Sequence, residues 1–368
     1  MLNSAVCIIC SMLVSCGNRG LKDAYSSYFP IGNIIDSLYI DDPYFSLLKR
    51  HFSVVTPGNN LKPDYLAPNT KGGEYKWKEA DKMTDKALAN GFKVIGHVLV
   101  WHRQTPAWMT QGTGEEVKNN LEKYITDVMT HFKGRIFVWD VVNEAFRDDL
   151  SGVKDTTDWK TCLRTDKNNY GASSWYGALG ADYIEIAFRA ARAADSDVIL
   201  YYNDYSMDNQ NKARAAANMI IDINARYKEE TGGSRNLIEG IGLQSHYQAA
   251  GWFNVYYVRL SLDLFISLGI KTAVSELDIR MTDYKEAAGR DSVMTPDDAQ
   301  AQAKLYAELF SLYKSRAENI SRVTMWGMDD RNSWLSSGNP CLFDRNLKPK
   351  AAFHAIINPD KLPDAPAE

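Results

Sequence analysis

Eight short apolar runs alternate with longer stretches of helical periodicity along this sequence, and that alternation restricts the fold more than any other feature. The runs fall at residues 31–35, 52–56, 93–98, 136–142, 198–203, 241–244, 272–275 and 323–327. Between them, residues 114–132, 181–194, 208–229, 254–268 and 296–316 carry apolar side chains three or four positions apart, the spacing that gives a helix one buried face. A strand, a helix and a further strand form the crossover unit of parallel sheets. Eight such units over this length predict an α/β fold of the closed (β/α)8 TIM barrel type rather than an open sheet. With 368 residues, 45% of them hydrophobic, the chain buries a sizeable core without disulfides or metals. No Pro/Gly/Ser-rich linker divides it, so one folded domain is expected at 28–358, with a short tail at 359–368.

The opening of the chain reads differently. Residues 5–14 are apolar, and the stretch ends Leu13-Val14-Ser15-Cys16. Such a run is too short to span a membrane as a mature helix and is expected to be a signal segment, 1–15. Its ending resembles a bacterial lipobox, which implies a lipidated Cys16 at the head of the mature chain and a polar tether over 16–27. No Lys or Arg precedes the apolar run, where such a signal is ordinarily basic, and export without lipid is the alternative. The expectation is an exported protein at the bacterial cell envelope, meeting the membrane by its lipid anchor only.

Charge and cysteine usage narrow the partners. The net charge is −4 and no block of Lys or Arg occurs, so no nucleic acid is expected. Cys162 and Cys341 sit in no CxxC or Cys/His cluster, and no metal is expected. Their number permits a disulfide without requiring one. A monomer without a cofactor is the expectation.

Two strand ends carry the residues able to do chemistry. The fourth run ends in Asn143-Glu144, an amide and a carboxylate, and the seventh continues through Ser275-Glu276-Leu277-Asp278, with two carboxylates. In a parallel barrel the carboxyl ends of the strands form the mouth where enzyme sites are built. A single strand-end acid often does no more than cap the helix that follows. A pair fits another use: retaining glycosidases cut with two carboxyls about 5–5.5 Å apart, one as acid/base and one as nucleophile. Two long connections, 147–180 and 281–295, leave the same face. The first carries Trp159, Tyr170, Trp175 and Tyr176, which favours a packed loop.

Trp139-Asp-Val-Val-Asn143-Glu144 and Ser275-Glu276-Leu-Asp278 resemble the two catalytic signatures of glycoside hydrolase family 10, the β-1,4-xylanases. Four further segments agree, each at the end of a proposed strand. They are Gly96-His97-Val-Leu-Val-Trp101-His102-Arg-Gln104-Thr-Pro-Ala-Trp108, Tyr202-Asn203-Asp204-Tyr205, Gly242-Leu-Gln244-Ser-His246, and Trp326-Gly-Met-Asp-Asp330-Arg331-Asn-Ser333-Trp334 followed by Leu342-Phe-Asp344. The resemblance covers 28–358 and implies a retaining endo-1,4-β-xylanase acting on xylan or xylo-oligosaccharides. Another β-1,4-glycanase of the same architecture, or a non-catalytic glycan-binding lipoprotein, are the alternatives.

The same resemblance assigns roles. Glu144 would be the acid/base and Glu276 the nucleophile, with Asn143 on the sugar 2-hydroxyl, His246 holding Glu276 and Asp278 orienting the imidazole. Asn59, Lys62, His97, Trp101, Gln104 and Gln244 would grip the substrate, and Trp326 and Trp334 would wall the cleft. Xylose lacks the C5 hydroxymethyl of glucose, and Trp334 over that position would exclude glucose. Tyr205 would pack at the rim or touch the leaving-group side, His102 would be structural, and Trp108 and Trp139 would belong to the core or its margin. One departure stands out. The family pattern at the second strand is Glu-Asn-x-Met-Lys, whereas this chain has Gly58-Asn59-Asn60-Leu61-Lys62. The missing acid would bind the sugar two units from the cut; alternatively, Gly58 serves a positive-φ turn after Pro57.

Overall fold

The structure, a computed structural model, describes residues 20–167, 171–249, 251, 253–281 and 294–359. Its strands are β1 (Ile31–Ile35), β2 (Val54–Pro57), β3 (Lys93–Trp101), β4 (Ile136–Asn143), β5 (Ile199–Asp204), β6 (Gly240–Leu243), β7 (His246–Gln248), β8 (Lys271–Arg280) and β9 (Ile320–Met325). Strands β1 to β6 pair in sequence order, β6 pairs with β8, β8 with β9 and β9 with β1, all in parallel. That ring is the (β/α)8 barrel expected from eight alternations.

Its strands read as unbroken apolar runs because both of their faces are covered. One face packs against the helices. The other fills the interior with Val54, Ile95, Val138, Tyr201 and Ala273. Glycine is required where rings cross neighbouring strands: a Cβ on Gly96 would lie 2.1 Å from the Trp139 ring, and one on Gly240 2.4 Å from Tyr201. Trp139 is accordingly core. Side-chain caps set the starts of the long helices. Thr113 with Glu116 and Thr295 with Asp298 form capping boxes, and Asn209 and Asn254 cap Gln210–Thr231 and Val255–Ser267.

Two expectations change, and one open alternative is decided. The seventh run does not stop at 275. Strand β8 continues to Arg280, because β7 pairs with its second half, His246 opposite Asp278. Glu276 and Asp278 therefore stand inside a strand, two residues apart on one face. Residues 20–27 are not a tether. Leu21 and Tyr25, one helical turn apart, are buried, and the Tyr25 hydroxyl donates to the Ile356 carbonyl at 2.5 Å, so the domain is under way by Gly20. Cys162 and Cys341 are buried free thiols, not a disulfide.

The connection after β4 is packed. Trp159 and Trp175 are buried, and the Asn211 and Asn218 side chains bind the carbonyls of Leu150, Val153 and Thr156. Tyr170, most of the connection after β8, the signal segment and Cys16 lie outside the described residues.

Candidate active site

Glu144 follows the last residue of β4 with φ of 57°, a left-handed conformation rarely held without support. Its backbone is pinned on both sides. The N–H donates to the Asn203 carbonyl at 2.9 Å, and the carbonyl accepts from Arg164 Nε at 3.0 Å. Of the carboxyl oxygens, Oε2 accepts from Trp101 Nε1 at 2.8 Å. Oε1 accepts from Asn143 Nδ2 at 3.1 Å and Gln244 Nε2 at 3.0 Å. On β8, Glu276 Oε1 accepts from Asn203 Nδ2 at 2.8 Å, and Oε2 faces His246 Nε2 at 3.4 Å. Asn143 Oδ1 accepts from Asn203 at 2.9 Å and from Gln244 at 3.0 Å. A chain of carboxamides thus joins the two carboxyls, Glu144 to Asn143 to Asn203 to Glu276.

The two carboxyls are pushed in opposite directions. Burial is the largest influence on Glu144 and pushes it up. The Asp204 and Glu276 charges add to that, and the Gln244 and Trp101 hydrogen bonds only temper it. Burial pushes Glu276 up as well. The His246 hydrogen bond, the His97 and His246 charges and the Asn203 hydrogen bond outweigh it, and the carboxyl ends below the ordinary range. Burial would lower His246, but Asp278, its Oδ1 2.9 Å from Nδ1, and then Glu276 lift the imidazole to about 10. At neutral pH the ring is therefore a cation between two carboxylates.

The residues expected to grip substrate gather around this pair to different degrees. Lys62 donates to Asn59 Oδ1 at 3.1 Å and its ammonium lies 5.1 Å from the Trp101 ring. His97 meets Asp140 at 3.0 Å, and its ring lies edge-on to Trp326 at 5.5 Å. Trp334 Nε1 donates to Asp278 Oδ2 at 2.8 Å. Gln104 is half-buried after β3 with φ of 45°, and its side chain makes no hydrogen bond to the carboxyl cluster. The Tyr205 hydroxyl is tied to Asp148 and Arg164, and its ring receives the Lys212 ammonium at 3.8 Å, so its packing role at the rim is built in. His102 packs beside Glu144, its Nδ1 4.0 Å from Oε2. Burial, then Arg164, Arg103 and Lys212, push it down to about 3 and keep it neutral.

Gly58 is not in a positive-φ turn. A Cβ there would meet only Ile34, at 3.8 and 3.9 Å, so a side chain has room.

Sequence reasoning passed over Asn203, Arg164 and the buried Asp204–Lys212 pair, 2.8 Å apart. Asn203 stands at the end of β5, level with Asn143 at the end of β4. An amide at a matching strand end is the signal that could have marked it.

A parallel barrel whose mouth holds two carboxyls pushed in opposite directions, one towards the protonated and one towards the charged form, is the equipment of a glycosidase working with an acid and a nucleophile. The chain belongs to glycoside hydrolase family 10, whose sequence model, described as glycosyl hydrolase family 10, matches residues 20–359. It is 34% identical over 344 residues to a β-1,4-xylanase of Dictyoglomus thermophilum, covering 92% of this chain and 90% of that protein. It is 33% identical over 362 residues to endo-1,4-β-xylanase A of Thermotoga neapolitana, covering 95% of this chain but only 32% of that longer protein. The crystal structure of a family 10 xylanase with a bacterial Ig-like domain, from termite gut, superposes with a TM-score of 0.83 at 36% identity, covering 93% of this chain and 77% of that one.

Proposed function

We propose that this protein is a retaining endo-1,4-β-xylanase that hydrolyses internal β-1,4-xylosidic bonds of xylan or xylo-oligosaccharides, with Glu144 as acid/base and Glu276 as nucleophile. The observation that carries the reading is the unequal treatment of the two carboxyls: Glu144 is pushed towards the protonated form, Glu276 towards the charged one. In the first step a Glu276 oxygen attacks the anomeric carbon. The glycosidic C–O bond breaks, and Glu144 gives its proton to the leaving oxygen. Ester formation removes the Glu276 charge, one of the influences holding Glu144 up, so the acid becomes a better base. It then takes a proton from water as that water displaces Glu276. Asn143 Nδ2 spends one N–H on Glu144 and keeps a second for the sugar 2-hydroxyl.

Reducing-sugar release from xylan, cellulose and mannan tests the substrate, with xylan expected to dominate. Glu276→Gln should abolish turnover on every substrate. Glu144→Ala should keep the first step on aryl glycosides with good leaving groups, accumulate glycosyl-enzyme and be rescued by small anions. Equal residual activity of the two variants on an activated aryl glycoside would overturn the assignment.

We also propose that the protein is an exported monomer anchored at the bacterial envelope through lipidated Cys16. The Leu13-Val14-Ser15-Cys16 ending supports this. Wild type should enter the detergent phase and Cys16→Ser the aqueous phase; wild type confined to the aqueous phase would refute the anchor. Sedimentation of the Cys16→Ser protein should give one chain, and a dimer would refute the monomer.

A further inference from the structure

Among the described residues, Trp334 is the most exposed of the large apolar side chains, with 57% of its surface open. Its indole N–H nevertheless does not point to solvent: Nε1 donates to Asp278 Oδ2 at 2.8 Å. Asp278 is buried. Its other oxygen meets His246 Nδ1 at 2.9 Å, and His246 Nε2 reaches Glu276 Oε2 at 3.4 Å. The Trp334 and His246 rings also touch, 5.0 Å between centroids at 67°. A continuous line of contacts therefore runs from a ring on the rim to a carboxyl inside the barrel.

Water would satisfy the N–H of an exposed indole at no cost in side-chain freedom, so the indole gains little from being fixed. Asp278 gains more. A buried carboxylate needs donors for both oxygens, and with two it is held in one orientation. The backbone reinforces the link. Ile279 N–H donates to the Pro340 carbonyl at 3.3 Å and Met281 N–H to Gly338 at 3.0 Å. Gln302 Nε2 clamps the carbonyls of Ile279 and Asn339 at 2.6 and 2.8 Å. The segment that follows Trp334 is thus laced to the end of β8, which carries Asp278.

We propose that Trp334 is a positioning residue for the nucleophile. Its indole N–H fixes the Asp278 carboxyl in the orientation that holds His246 against Glu276, so the cleft wall and the ionisation of Glu276 form one unit. The proposal rests on Glu276 being the nucleophile. Without the N–H, Asp278 is free to turn and His246 loses its fixed partner. The 3.4 Å contact to Glu276, the longest in the line, gives way first. Burial then dominates at Glu276, and its carboxyl rises. Glu276 also faces His97, Lys62, Glu144 and Asn203, and Tyr306 and Cys341 lie near Asp278. Trp334 makes its ring contact to His246 and its hydrogen bond to Asp278, not to any of these.

The test compares Trp334→Phe, which keeps an apolar wall and loses the donor, with Trp334→Ala, which loses both. The substrate is an aryl β-xyloside with a good leaving group. Its first step needs no proton, so the acid limb of kcat/KM against pH reports the free Glu276. Trp334→Phe should move that limb up by about one pH unit, while KM is free to rise because the ring also walls the cleft. Trp334→Ala should move the limb equally and raise KM. In Trp334→Phe the ring 15N signals of His246 should lose part of their imidazolium character at neutral pH. An acid limb that stays in place or moves down in Trp334→Phe overturns the proposal, whatever KM does. A wild type that cleaves neither the aryl xyloside nor xylan would instead overturn the xylanase reading itself.

Discussion

Trp101→Phe removes the hydrogen-bond donor that Glu144 Oε2 meets at 2.8 Å while leaving an aromatic ring in place. The bond favours the ionised carboxylate, so the acid of the intact protein sits lower than burial alone would set it. A hydrogen bond to a charged group contributes about 1.5–3 kcal/mol. At about 1.4 kcal/mol per pH unit, its loss corresponds to a rise of roughly one to two units. Trp101 is only half-buried, and water entering behind Phe would replace part of the bond, which favours the low end, about one unit. The sign follows from the role. As the proposed acid, Glu144 must be protonated in the first step, so kcat/KM falls as pH rises through its pKa, and the variant moves that fall to higher pH. The assay is kcat/KM against pH on an unactivated xylo-oligosaccharide, whose leaving group needs the proton. KM is free to rise, because Trp101 is expected to touch the sugar, but the limb positions report the free enzyme. The acid limb, set by Glu276, should stay. A basic limb that stays or moves down would refute Trp101 as the donor that tempers Glu144.

Glu144→Gln abolishes the proton transfer and should gain in stability relative to wild type as pH rises, although its amide NH2 stands where an oxygen accepts from Trp101 or from Asn143 and Gln244. The raised carboxyl lends stability fully below its unfolded pKa and loses it as pH rises through the folded one, so the Tm of the variant relative to wild type should climb with pH; a constant difference would count against a raised Glu144. Asn203→Ala removes the bridge between Asn143 Oδ1 and Glu276 Oε1 and should lower kcat on the order of tenfold to a hundredfold with KM little changed; an unaltered kcat would show the bridge dispensable. Gly58→Glu meets only Ile34 at its Cβ, so Tm should hold. Efficiency on plain linear xylo-oligosaccharides should rise roughly ten- to a hundredfold and fall on branched ones, and unchanged specificity would remove Gly58 from the substrate argument.

What was legible in the sequence is what local periodicity encodes. Apolar runs covered on both faces stand out against helices with one apolar stripe, so the barrel and the place of Glu144 at the end of β4 follow from spacing. The extent of β8 does not. Its last residues are strand only because β7 lies beside them, a pairing between positions some thirty apart that neither segment signals alone. Gly20 to Ser27 misleads for a similar reason. Leu21, Ala24 and Tyr25 face inward, too few to show a period, and what buries them lies elsewhere in the chain: Leu21 N–H meets His51 and Tyr25 meets Ile356.

The division of labour between the two carboxyls belongs to the same class of facts. Both glutamates follow an apolar stretch, Glu276 is buried and Glu144 half-buried, and loss of solvent acts on each in the same direction. What separates them is the company each keeps. Glu144 has three neutral donors, Trp101, Asn143 and Gln244, with the Asp204 charge behind it; Glu276 has a cationic His246 made basic by Asp278. A neutral amide moves a pKa by one hydrogen bond, whereas an imidazolium adds a full opposite charge in a poorly screened interior. The asymmetry therefore hangs on Asp278, two residues beyond Glu276 on the same strand. Exchanging only that carboxylate, as Asp278→Asn, should let His246 lose its proton near neutral pH and bring Glu276 up towards Glu144. If Glu276 is the nucleophile, as proposed, two carboxyls that both titrate late would leave Glu144 able to serve as acid and Glu276 protonated at higher pH than in wild type, so kcat/KM should fall on the acid side.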